Sequence, residues 1–159
     1  MPAPTVNLMN KNPSSVCTWS AAGAVLLALA ACASPQPQQL PDLYEANLDG
    51  RQEVPAVATA GSGQARVEVD AKGLMRWTVD YAGLSGPVTG AHVHGPAGPG
   101  QDAAILIPLA VPAGGTSFSG QLRITPEQLN QLDSGQWYVN LHTAQHPGGE
   151  IRGQLRPRR

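Results

Sequence analysis

The chain has 159 residues, which leaves one domain once a targeting segment is set aside. Only 13% of residues are charged and 4% aromatic, while 18 are glycine and 15 proline. That composition suits many short strands joined by tight turns and argues against an all-helical fold. The formal net charge is -1, so there is no basic surplus to bind nucleic acid. Arg152, Arg156, Arg158 and Arg159 cluster near the C-terminus. They are expected to be solvated charge on a terminal strand and tail rather than a phosphate-binding stripe.

The N-terminus reads as an address. From Ala21 the chain runs AAGAVLLALAAC, about a dozen apolar residues after Lys11 and before polar sequence. This is too short to span a membrane and has the length of a secretory hydrophobic region. Leu29-Ala30-Ala31-Cys32 resembles the bacterial lipobox, in which the cysteine is diacylated and becomes the new N-terminus. A start at Met9 gives a more compact leader than Met1, and the alternative for Cys32 is ordinary cleavage at Ala31. The expected organisation is a lipoprotein signal peptide over 1–31, lipidated Cys32 with a Pro/Gln-rich tether over 32–41, and a domain over 42–157. Cys17 leaves with the leader, so no disulfide is expected. These features imply a membrane partner through the lipid and a place in the bacterial cell envelope, with outer-membrane sorting suggested by Ala33 in a Gram-negative cell.

Beyond the tether, period-two alternation recurs between turn signals. Tyr44, Ala46 and Leu48 form one inward face, Ala65, Val67 and Val69 a second, and Met75, Trp77, Val79 and Tyr81 a third. Asp70-Ala71-Lys72-Gly73 reads as a hairpin turn between the last two. Further strands are expected over 88–94, 104–109, 116–124, 136–143 and 150–156. One helix interrupts them: Thr125 caps it, Pro126 opens it, Gln128 completes a capping box and Gly135 ends it. The prediction is an all-β, antiparallel Greek-key sandwich of about eight strands, of the superoxide-dismutase or immunoglobulin kind, with one short helix.

Side chains two apart on a strand share a face. His92 and His94 therefore point together, away from Val93, and Tyr138, Asn140 and His142 point away from Trp137, Val139 and Leu141. If those two strands are neighbours, three imidazoles converge, a donor set that suits copper or zinc. The competing reading is a hydrogen-bonded polar face without metal. Glu53 and Glu150 are each a candidate fourth ligand or ion-pair partner of Arg152, the ion pair being the more frequent use of such residues. His146, in QHPGGE, reads as exposed loop. No nucleophile elbow, phosphate loop, Cys-x-x-Cys pair or dinucleotide fingerprint occurs, which weighs against an enzyme.

LDGRQEVPAV (48–57), VDYAGLSGPVTGAHVHGPAG (79–98), GQLRIT (120–125) and YVNLHTAQHPGGEIRGQL (138–155) together resemble the CHRD domain, named after repeats in chordin. The resemblance covers about residues 42 to 156. It places a polar signature on Glu53, Pro55, His92, His94, Gly95, Asn140, His142, Gly149, Glu150, Arg152 and Gly153, and it implies that Glu53, the three histidines and Arg152 form one constellation. A second, looser resemblance is to copper/zinc superoxide dismutase, with His92, His94, His142 and Arg152 in matching order. The long zinc loop and the cysteine pair of that enzyme are missing. Two functions follow as expectations: a non-catalytic envelope module that binds an unidentified ligand or protein, or a copper or zinc protein using the three histidines.

Overall fold

The computed structural model describes residues 40–158. The leader, Cys32 and most of the tether lie outside the described residues. Nine strands follow in chain order: β1 (Asp42–Asp49), β2 (Ser62–Val69), β3 (Leu74–Ala82), β4 (Val88–His94), β5 (Ile105–Leu109), β6 (Ser117–Arg123), β7 (Tyr138–Thr143), β8 (Ile151–Gln154) and β9 (Arg156–Pro157). One helix, α1 (Pro126–Asp133), lies between β6 and β7. All pairings are antiparallel, in the order β5-β4-β7-β8-β1-β2-β3-β6, with β9 beside β1. The sheet is nearly closed on itself into a flattened barrel or sandwich, which keeps the expected all-β class.

β1, β2 and β3 form a meander, but β3 then pairs with β6 and β4 with β7. These crossed partners are the Greek-key element of the fold. The inward faces read from the alternation are in the core, with Leu48, Val67, Val69, Met75, Val79, Val93, Val139 and Leu141 all buried in one cluster, except that Tyr81 at the end of the third face is only partly buried against it. The expected last strand is split. β8 pairs with β7 through Ile151–Gln154, whereas Arg156 and Pro157 pair with Glu45 and Tyr44 of β1, and the fully buried Leu155 between them drops into the core.

The capping box at α1 is complete: the Gln128 backbone N–H donates to Thr125 Oγ1, and the Thr125 N–H donates to Gln128 Oε1. Gly135 takes the positive φ, +65°, that ends the helix. The helix is fastened to the barrel by its C-terminal half. Leu132 is fully buried, the Tyr44 hydroxyl donates to the Asp133 carboxylate, and Trp137 Nε1 donates to Gln131 Oε1 at 3.2 Å. Among the described residues no helix is long and apolar enough to cross a membrane.

Trp137 is the largest fully buried side chain and joins α1 to the core. Trp137→Ala should lower the unfolding free energy by about 3–5 kcal/mol, because it removes the transfer energy and leaves a cavity. Urea denaturation of the two proteins measures this.

Candidate functional site

β4 and β7 are neighbours, in a register that sets Gly90 opposite His142, His92 opposite Asn140 and His94 opposite Tyr138. β8 extends the grid by placing Arg152 opposite Asn140 and Gln154 opposite Tyr138. The outward face of these three strands thus carries the histidines, the asparagine, the tyrosine and the arginine together. A register shift between Val93 and His94 against β5 adds local twist at the second histidine.

His92, His94 and His142 each offer a ring nitrogen, and these nitrogens all lie within 4.8 Å of one another. His92 Nδ1 and His142 Nε2 are hydrogen-bonded at 3.0 Å. Two tautomers are fixed by partners that can only accept. His94 Nδ1–H donates to the Ala103 carbonyl at 2.9 Å and His142 Nδ1–H to the Pro147 carbonyl at 3.0 Å. Both Nε2 atoms therefore carry a lone pair, and His94 Nε2 is buried with no hydrogen-bond partner. Burial and the neighbouring imidazoles hold His92 below the usual histidine range. His142 is also lowered, chiefly by burial, with the Pro147 carbonyl opposing it. Both are neutral at pH 7, the form that ligates metal.

Tyr138 and Asn140 face away from the core as alternation requires, yet each is only 3% exposed. The reason is a lid of loops. Residues 101–103 cover one side: the Ala103 N–H donates to the Tyr138 hydroxyl, while Arg152 donates to the Gln101 carbonyl at 2.6 Å and to Asp102 Oδ1 at 3.0 Å. The Arg152 guanidinium carbon lies 3.4 Å from the Tyr138 ring centroid, and that ring stacks on His94 at 4.8 Å. Glu53 and Gly149 close the other side. Asn140 Nδ2 donates to Glu53 Oε1 at 2.8 Å, and a Cβ on Gly149, whose φ is +133°, would collide with both.

Three expectations are corrected here. Arg152 is not solvated terminal charge but 2% exposed, as the Tyr138 stack and its hydrogen bonds require. Its ion pair is with Asp102, which sequence reasoning missed, and neither glutamate hydrogen-bonds to it. Glu150 belongs to a different place. It is fully buried and accepts from the Thr59, Ser85 and Thr143 hydroxyls and the Ser85 N–H, so it clips two loops to the end of β7. Neither Glu53 nor Glu150 joins the histidine cluster. His146 is half-buried in the turn after β7, where its backbone, not its ring, bonds to Thr143. The larger surface grooves, about 620 and 540 Å³, contain none of the three histidines.

A CHRD domain family model matches residues 44–155, the span from β1 to the residue after β8. The chain belongs to the CHRD domain family. Comparison with curated proteins and with solved structures finds no match. In this CHRD domain the histidines, Asn140, Tyr138, Arg152 and Glu53 form one constellation, and Glu150 stands outside it.

The two buried glutamates oppose each other in pH dependence. Burial pushes the Glu53 carboxyl up to about 7, with Arg152 and the Asn140 bond only partly offsetting it. Its protonated form favours the fold, so that contribution is lost as pH rises from about 4.5 through 7. Burial would also raise Glu150, but the hydroxyl and amide donors of Ser85, Thr143 and Thr59 win and bring it down to about 2. Its ionised form favours the fold, so stability is lost as pH falls from about 4.5 toward 2. In chemical denaturation from pH 2 to 8, Glu53→Gln should remove the decline toward neutral pH, and Glu150→Gln the decline toward acid.

Proposed function

We propose that this CHRD domain is an extracytoplasmic binding module of the cell envelope, tethered through a lipid on Cys32, and that its ligand is one Cu(II) or Zn(II) ion at His92, His94 and His142. The observation that carries the metal reading is the pair of lone pairs on His94 Nε2 and His142 Nε2, set by backbone carbonyls and brought together with His92. A carbonyl that accepts from one ring N–H orients a metal-ligating histidine and fixes which nitrogen is free to bind. A buried acceptor left without a donor costs free energy, and a cation satisfies it.

The spacing agrees with a shared ion. Imidazole nitrogens 2.0–2.1 Å from one ion in tetrahedral array are about 3.3 Å apart. One pair is at 3.0 Å and the three lie within 4.8 Å, so small ring rotations suffice. Three imidazole nitrogens without thiolate or carboxylate suit Cu(II) and Zn(II) among the common divalent ions. Such an ion supplies Lewis acidity and, if copper, one-electron chemistry. The residues around it hold the ligands still: Ala103 and Pro147 fix two rings, and Tyr138 under Arg152 stacks on a face of His94.

The envelope location rests on the sequence Leu29-Ala30-Ala31-Cys32 after its apolar run and on the Pro/Gln tether that follows. Metabolic labelling with a radioactive fatty acid should tag the wild type and leave Cys32→Ala unlabelled.

Protein made in copper- or zinc-supplemented medium should carry one ion per chain by elemental analysis, and the triple His→Ala variant none. At free metal about 100 times Kd, binding should add about 2.7 kcal/mol to stability, seen as a Tm that falls on chelation. A metal-free protein whose Tm ignores both metal and chelator would overturn the metal reading and leave a hydrogen-bonded polar patch.

A further inference from the structure

The histidine cluster supplies three ligand atoms, and among the described residues no carboxylate or thiol joins it. Glu53 is held by Asn140 and Glu150 by the hydroxyls at the far end of β7. A three-imidazole centre therefore has a coordination position that the protein does not fill with such a side chain. Beside it stands a second unsatisfied group. Asn140 is 3% exposed, and its Oδ1 is buried with no hydrogen-bond partner. Asn140 lies opposite His92 and two residues from His142 on the same face, so the three side chains are neighbours on that face. Its amide nitrogen is turned to Glu53, which leaves the oxygen free.

The face is also unobstructed at one edge. Gly90 is opposite His142, and a Cβ there would come to 3.4 Å from His92 Cε1 and 3.8 Å from His142 Cδ2. With hydrogen in that place, the edges of both rings are reached from outside, and both histidines are half-buried rather than sealed.

Resting on the metal reading above, we propose that the centre keeps one position for a small protic ligand, water being the resting occupant, and that Asn140 selects for it by accepting a hydrogen bond from it through Oδ1. A ligand that brings a proton satisfies a buried acceptor. An aprotic anion of the same size leaves that acceptor orphaned, and it binds more weakly for that reason. Asn140 is a positioning residue in this scheme, since it acts on the exogenous ligand and supplies no bond to the ion.

The test uses the full chain loaded with Cu(II) and titrated with azide, an anion without a proton, followed by visible absorption and electron paramagnetic resonance. Wild type should bind azide weakly, and Asn140→Leu about tenfold more tightly at unchanged copper stoichiometry, a difference of about 1.4 kcal/mol. Asn140→Asp keeps an acceptor and Glu53→Gln leaves Oδ1 untouched, so neither should tighten azide. Electron-nuclear double resonance on the wild type alone adds a second readout: a strongly coupled, solvent-exchangeable proton that disappears when azide binds. If no variant takes up copper, the metal reading itself is wrong and this inference falls with it. If copper binds but azide changes nothing, or the exchangeable proton is missing, the metal reading stands and the open position does not. Equal azide affinity in wild type and Asn140→Leu would remove Asn140 from the role.

Discussion

Every property of the site depends on one antiparallel pairing, that of β4 with β7 in the register that sets His92 against Asn140. Strand side chains alternate with period two, so a slip of one residue would turn the histidines of one strand into the core and expose Val139 or Val93 in their place. The buried faces forbid that slip. Ala91 and Val93 on β4, with Val139 and Leu141 on β7, are all 2% exposed or less and lie in one apolar cluster. The hydrophobic core on the inner side is thus what positions the imidazoles on the outer side.

The outer side is unusual in being polar and yet largely dry. Arg152 is the fastener: one guanidinium holds a loop carbonyl, an exposed carboxylate at Asp102 and the face of Tyr138. Its desolvation is offset by these partners rather than by a single ion pair, which is the condition under which a buried charge is tolerated. Because Tyr138 in turn lies flat on His94, the loop at 101–103 and the second histidine share a column of contacts. Glu53 is the counterweight on the opposite flank, where burial outweighs the pull of Arg152 and raises its carboxyl to about 7.

Strand identities, inward faces and the helix caps were legible in the sequence, since each rests on local signals: alternation, a capping box, a terminal glycine. The direction of His92, His94 and His142 was legible for the same reason. The burial of Tyr138 and Asn140 was not, because it comes from loops distant in sequence that fold over the strands. Asp102 stands in a Pro/Gly-rich stretch with no periodicity, and nothing local marks it as the partner of Arg152, 50 residues on. Glu150 was misplaced for a related reason. It precedes β8 rather than lying within it, so strand parity does not govern its direction, and three hydroxyls from separate segments decide where it goes.

The crossed pairings also differ in how much chain each must close. The β2–β3 hairpin closes through the turn 70–73, whereas β1 reaches β2 through residues 50–61, and β4 pairs with β7 so that His92 meets His142 across 50 residues of chain. Contacts of such long sequence separation are costly in loop closure and form slowly. The imidazole cluster is consequently among the contacts that carry the larger loop-closure cost. A chain emerging in extended form carries its histidines apart and has little to hold an ion between them.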